Sequence, residues 1–393
     1  MIEVSIAEMI VPDLHRRGAR ALTRDRRADV NADSTGWTST WSAWGTTASV
    51  TVTDPAALPA ASRLVARQFA AAEKAAARFR KDAELHRLYR AGGRPITVSP
   101  LLAELIGAAL AAAERTDGDV DPTVSAAMTA VHGRLRRGAT AMPVCGTQST
   151  GSSRVPGWQR VDLQGRRLQV PAGTTLDLSA TAKSLTCDRA AAAVRARLNV
   201  GVLVTLGGDA ASAGPGPEAG WHVSVHDRGS GGGPVEVLLP AGTALATSHF
   251  TARLSPIEDR ASAAQSGHLI DPHTGQAPAA VWRMATAIGF TSLEASTYTA
   301  ATLIRGLSAR AWLTQLWVPA RLVTIHDDVI TVGPWGSHQA EPTSATVATS
   351  PTTNTETIAA EDISTTNADP TGSADRLVRF PAPRLANPRR TTN

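Results

Sequence analysis

Residues 176–184, Leu176-Asp177-Leu178-Ser179-Ala180-Thr181-Ala182-Lys183-Ser184, run on to Asp188 and Arg189 and form the junction on which the fold turns. The apolar residues up to Leu178 predict the end of a strand, and the Ala-rich stretch from about Ala182 to Leu198 predicts a helix. Only small residues lie between them, so backbone N–H groups there can approach a phosphate, with Lys183 adding a mobile cation. The other reading is an ordinary strand-to-helix connection with a surface lysine. The GxxxxGK[ST] pattern of a P-loop is absent.

Upstream, Thr46–Thr53 alternates like a strand, and Ala60–Arg80 predicts an Ala-rich helix carrying Leu64, Phe69 and Phe79. A hairpin-like approach to Ile96–Val98 follows. Ser99 then caps a helix with Pro100 at its first position and Leu102, Leu105, Ile106 and Leu110 on one face. Arg160–Leu163 and Arg167–Val170 predict paired strands around Gly165. Downstream, Val202–Leu206 predicts a strand broken by Gly207, Gly208 and Asp209, with Trp221–Val225 and Val235–Leu239 continuing the sheet. Ala285–Phe290, helices over Leu293–Arg305 and Ala311–Leu316, and a strand at Ala320–Ile325 complete the ordered part. Strands outnumber simple βαβ alternations, so the expected class is α+β rather than a doubly wound sheet.

The 393 residues are 42% hydrophobic and 19% charged with a formal net charge of +5. That suffices for a large core, and the scattered arginines leave no basic, aromatic-interleaved stripe of the kind nucleic acid requires. Cys145 and Cys187 have neither CxxC nor ligand-like spacing, which argues against a disulfide framework or a zinc site and fits a reducing compartment. Met1–Arg20 lacks the basic start, apolar core and small-residue cleavage site of a secretion signal. No window approaches the roughly 18 apolar residues of a membrane span, so no membrane insertion and a cytoplasmic location are expected. Residues 1–40 and 336–393 read as disordered extensions around a domain at 41–335, and 139–157 reads as a surface loop.

Three further segments concentrate chemistry-bearing residues. Thr116-Asp117-Gly118-Asp119-Val120-Asp121-Pro122-Thr123 ends an apolar helix with several short acceptors, able to bind a ribose, a base edge or a metal-bound water, or simply to turn the chain. Val204-Thr205-Leu206-Gly207-Gly208-Asp209 implies positive φ or a close backbone approach. Gly267-His268-Leu269-Ile270-Asp271-Pro272-His273-Thr274-Gly275 places His268 before an Asp-Pro turn, where it could take a proton from a hydroxyl or serve as a hydrogen-bonded structural residue.

Taken in order, these segments resemble the ApbE-type flavin transferases, also called FAD:protein FMN transferases. Trp44-Gly45-Thr46 is similar to that family's "MGT" strand, residues 77–85 to "SRFRPDSEL", and 116–124 to "TDGAFDPTV". Residues 176–189 resemble "LDLGATAKAxAADR", 206–209 the "LGGD" turn, 246–248 "ATS", and 268–275 "HIIDPRTG". The match runs from about Trp44 to Gly333.

The resemblance implies a two-lobed fold with FAD in a cleft, its pyrophosphate near magnesium, and an acceptor protein whose threonine attacks the FMN phosphorus while AMP leaves. It makes His268 the base and Asp271 the support of its loop. Trp44, Phe79, Asp119, Val120, Asp121, Lys183 and Asp188 would line the flavin nucleotide. Magnesium would fall to the Ala182 carbonyl and to positions 296 and 300, where the family carries Asp or Asn and then Thr. Here those positions are Ser296 and Ala300. A neutral hydroxyl and a methyl group are poor ligands for a cation that prefers carboxylate oxygens. The alternatives to transfer are therefore a flavin-binding protein without transfer and hydrolysis of FAD to FMN and AMP.

Overall fold

The computed structural model describes residues 31–33, 36–78, 80–125, 157–227, 234–250 and 269–335, all within the compact unit Met1–Glu341. Phe79, His268, Cys145, the 139–156 stretch and the 336–393 tail lie outside the described residues. The strands are β1 (Asn31–Asp33), β2 (Gly36–Ala43), β3 (Thr46–Val52), β4 (Ile96–Thr97), β5 (Asp162–Gln164), β6 (Arg167–Gln169), β7 (Val202–Leu206), β8 (Asp209–Ala213), β9 (Trp221–Val225), β10 (Val235–Leu239), β11 (Ala244–His249), β12 (Trp282–Gly289), β13 (Ala320–Thr324) and β14 (Val329–Val332). The helices are α1 (Leu58–Ala76), α2 (His86–Ala91), α3 (Pro100–Arg115), α4 (Ala182–Leu198), α5 (Ser292–Arg305) and α6 (Ala309–Gln315).

A nine-stranded sheet in the order β1-β2-β3-β7-β8-β11-β12-β13-β14 forms the frame, and each of its paired neighbours runs antiparallel. Its central strand β7 reads as a nearly continuous apolar run because both its faces are covered. On β7, Val202, Val204 and Leu206 pack with α1 and α4, while Leu203 points to the other face with Trp221, Val237 and Leu239 of β9 and β10. On β12, Ala285 and Ala287 meet Leu303 and Leu313, and Met284 and Ile288 meet Trp221. β9 and β10 thus form a separate two-stranded sheet lying on the large one, not the continuation expected from the sequence.

The helices follow their apolar spacing. On α1, Leu58, Ala61, Val65, Phe69, Ala72 and Ala76 are buried, a three- and four-residue repeat that lays one face on the sheet. Phe69 is 1% exposed. α3 starts where Ser99 accepts the Leu102 N–H at 3.1 Å, with Pro100 at its first position, and buries Leu102, Leu105 and Ile106 over the three-stranded sheet β4-β6-β5. α4 buries Cys187, Ala190, Ala191 and Val194 at the same spacing, between α1, α5 and the sheet. Its buried hydroxyls are satisfied within the helix: Ser184 donates to the Thr181 carbonyl and Thr186 to that of Ala182.

Several boundaries differ from the sequence expectation. α1 ends at Ala76 instead of Arg80, because Ala77 turns extended and Arg78 leaves the helix axis to pair with buried Asp177 at 3.1 Å. Residues 174–178 join no sheet: the Asp177 N–H goes to the Pro122 carbonyl at 2.7 Å and the Leu176 carbonyl accepts from Tyr89 Oη. The sheet begins at Asn31, inside the stretch expected to be disordered, since β1 pairs with β2, and β2 pairs along β3 and brings Trp37 and Trp41 against the α1 core. No described helix is long and apolar enough to cross a membrane.

Candidate functional site

The turn after α3 brings the first motif into place. Asp117 and Gly118 both take positive φ, +55° and +91°, and the Gly118 N–H bonds the Ala113 carbonyl at 2.8 Å, so the chain reverses within two residues. Thr116, fully buried, donates to the Ala112 carbonyl and receives the Val120 N–H. The segment then passes the 177–181 junction, held there by the Asp177 to Pro122 backbone bond.

A cleft opens at this meeting point, lined by Asp119, Asp121, Asp177, Ala180, Ile270 and Ala300 among others. Three separated sequence segments, 119–124, 177–181 and 269–270, therefore share one wall with α5. The carboxylates are committed to the protein. Asp121 accepts from the Thr123 N–H and hydroxyl at 2.7 and 2.6 Å and from the Trp158 N–H at 3.0 Å. Asp177 accepts from the Ser179 N–H at 2.7 Å and pairs with Arg78. Asp119, 8% exposed, is held by Arg305 Nε and by His273 Nε2, the latter at 3.1 Å. Val120 packs against Ala300 and Ala301. These acids shape the cleft, and a ligand would have to displace a partner to bind them directly.

Other predicted residues are more dispersed. Trp44 sits with Gly45 in the two-residue turn between β2 and β3, both at positive φ, and its indole N–H is used by the Phe69 carbonyl at 3.0 Å. Asp188 accepts the N–H groups of Ser292 and Leu293 at 2.7 and 3.0 Å and so caps α5 from outside, with Thr291 as the residue-level cap. Burial lifts the Asp188 carboxyl to about 6 despite those donors. Asp271 holds the 271–276 turn, taking the His273 N–H at 2.9 Å and the Thr274 hydroxyl at 3.0 Å. Lys183 lies at the start of α4 near Asp209. No side chain caps α4, whose start borders cleft residues Ala180 and Thr181, and the Thr181 and Ala182 N–H groups there both go to the Leu178 carbonyl.

Asp209 on β8 is a feature whose environment the sequence could not give. It is 7% exposed, faces Ser296 and Lys183, and is pushed up by burial to about 6 while both neighbours pull it down. Its only sequence signal was its place after the two glycines. Arg305 and His273 were likewise missed, because their role arises only when α5 and the 269–275 segment meet the turn after α3.

The positions implied for magnesium do not fit that ion. Ser296 is 6% exposed, and its neutral hydroxyl lies 2.9 Å from the Ala180 carbonyl and also faces Asp209. Ala300 offers only a methyl group to the cleft. The Ala182 carbonyl accepts Thr186 Oγ1 at 2.5 Å. Among the described residues no group of three or more His, Cys, Asp or Glu is placed to hold a metal ion. Magnesium asks for a near-octahedral set of hard oxygens anchored by carboxylate, and these three positions supply none.

Among solved structures, the fold is similar to the Pseudomonas stutzeri flavinyl transferase ApbE in its apo form, with a TM-score of 0.63 at 17% identity over 80% of this chain and 99% of that one. It is similar to the ApbE protein of Thermotoga maritima, at 0.63 and 20% over 77% and 99%. The flavin transferase ApbE of Vibrio cholerae gives 0.60 and 17% over 77% and 98%. Identities this low establish the shared fold. No curated protein matches the chain. The ApbE family model matches residues 44–322, well over half the length, with the cleft segments inside that span: the chain belongs to the ApbE family.

Proposed function

We propose that the chain moves the FMN half of FAD onto a threonine hydroxyl of an acceptor protein and releases AMP. The observation that supports this most is the convergence of residues 119–124, 177–181 and 269–270 on one cleft, since these are the segments that resemble the flavin transferases. In the reaction the hydroxyl oxygen bonds to the FMN phosphorus and the bridging P–O bond breaks with its electron pair leaving on AMP. The hydroxyl proton goes to a base, which we assign by motif to His268.

Phosphoryl transfer asks the protein chiefly for positioning and charge neutralisation. The uncapped start of α4 and Lys183 are the groups we assign to the pyrophosphate. Trp44, Phe79 and Val120 supply apolar surface for the flavin ring, while Asp121 and Asp188 act through the backbone they hold and Asp119 through the Arg305 and His273 side chains. No step is assigned to a magnesium ion at Ser296 and Ala300, whose chemistry does not suit it.

The test is to incubate the full chain with FAD and a protein bearing an acceptor threonine, with and without magnesium, and to follow protein-bound flavin fluorescence and AMP. Fluorescent acceptor with AMP supports transfer, whereas free FMN with AMP means hydrolysis. FAD bound but unchanged sinks both catalytic readings and leaves the second one, flavin binding without transfer, which Ser296 and Ala300 favour.

A further inference from the structure

Asp119, Arg305 and His273 come from three distant parts of the chain and meet at the edge of the cleft. Asp119 Oδ1 faces His273 Nε2 at 3.1 Å, and Asp119 Oδ2 takes Arg305 Nε. Arg305 is fixed independently: its Nη2 donates to the Thr116 carbonyl at 3.0 Å and its guanidinium lies 4.3 Å over the Trp312 ring. The Asp119 side chain is 9% exposed and that of His273 is 56% exposed. The acid is thus a rigid, buried anchor and the histidine a solvent-reachable tie onto it.

That tie joins the 269–275 segment, whose Leu269 and Ile270 line the cleft, to the turn after α3. The two partners also depart together from the motifs they resemble: "TDGAFDPTV" carries alanine where this chain has Asp119, and "HIIDPRTG" carries arginine where it has His273. We propose that His273 is a positioning residue that holds the 269–275 segment on the cleft rim through Asp119, and that this hold tightens when the imidazole is charged. An imidazolium adds an ion pair to its hydrogen bond with a carboxylate, which a neutral imidazole lacks. The other charged groups facing the pair are Arg305 and Asp117 from neighbouring elements and Asp271 from its own turn, where Asp271 accepts the His273 N–H. As a device for the flavin-transfer cleft, the inference rests on the proposed function, because His268 immediately precedes the anchored segment in sequence.

Hydrogen exchange of the peptide covering 269–275, corrected for intrinsic rates, tests it on the full chain at pH 5.5 and 8. In the natural chain exchange should rise about fivefold from pH 5.5 to pH 8 as the imidazole passes from its charged to its neutral form. His273→Ala should exchange fast at both values, and His273→Arg, which keeps a permanent charge opposite Asp119, should stay slow at both. AMP release from FAD, measured in parallel at pH 8 where the His268 base is free to accept a proton, should fall in His273→Ala and rise in His273→Arg relative to the natural chain. Exchange of His273→Ala equal to the natural chain, or His273→Arg keeping the natural pH dependence, would overturn the proposal. If the natural chain forms no flavinylated product while exchange behaves as stated, the transfer reading fails and the anchor stands. The opposite pattern removes the anchor alone.

Discussion

Replacing Asp209 by Asn should make the protein more stable at neutral pH, and the amount can be worked from the burial of that carboxylate. Asp209 is 7% exposed, and burial raises its carboxyl from 3.8 to about 6 even with Lys183 and Ser296 lowering it. A folded-state value above the unfolded one means that the folded chain binds the extra proton between those limits. Stability therefore falls as pH rises from about 4 to about 6, and the full cost is present above that window. Two pKa units correspond to about 3 kcal/mol. Asparagine cannot ionise, so Asp209→Asn should gain up to about that much at pH 7.5, less about 1 kcal/mol for an amide N–H2 that needs an acceptor. Urea denaturation at pH 7.5 and pH 4 provides the measurement, with unchanged m-values as the condition for comparing midpoints. The variant should be more stable at pH 7.5, with the advantage disappearing at pH 4. A variant less stable at pH 7.5, or an advantage equal at both pH values, would refute the reasoning. An acid kept ionised at this cost behind the cleft wall has the character of a functional group.

Three other outcomes follow from the same structure. Asp188→Ala strips the Ser292 and Leu293 N–H groups of their acceptor and should cost about 1–2 kcal/mol in urea denaturation at pH 4, below the burial-raised titration of that carboxyl, where no ionisation cost offsets the loss. Leu105→Ala, at a fully buried position over the β4-β6-β5 sheet, should cost about 2–5 kcal/mol by the same measurement. Ser296→Asp with Ala300→Thr should lower the melting temperature in chelator, because a carboxylate enters beside Asp209, and millimolar magnesium should restore part of the loss. The natural chain should respond to neither, as read by thermal denaturation and by calorimetric titration with magnesium.

Much of the fold could be read from local pattern. α3 was legible because Ser99, Pro100 and the Leu102–Leu105–Ile106 spacing all agree, and α4 because its start follows a run of small residues. β7 was legible as a buried strand. The sequence could not say that β9 and β10 leave the main sheet, because strand partners depend on distant chain segments, nor that α1 stops early, because the cause is Arg78 reaching Asp177 across the fold. The site was legible in part for the same reason. Its motifs named the segments that line the cleft, but the partners that occupy Asp119, Asp121 and Asp188 come from other elements. The resemblance places Asp188 with Lys183 at the flavin nucleotide, and in the structure the Asp188 carboxylate accepts N–H groups at the start of α5. Trp37 and Trp41 carried a strand signal that the polar composition of residues 1–40 obscured.

The central claim is that FAD occupies the cleft where the 119–124, 177–181 and 269–270 segments meet. Hydrogen exchange of the full chain with and without saturating FAD tests it most directly. Bound FAD should slow exchange at 117–124, at the first turn of α4 from 180 to 185, and at 269–275, leaving β9 and β10 on the far side of the sheet unchanged. Protection confined to β9 and β10, or no protection in the three cleft segments under conditions where FAD is bound, would contradict it.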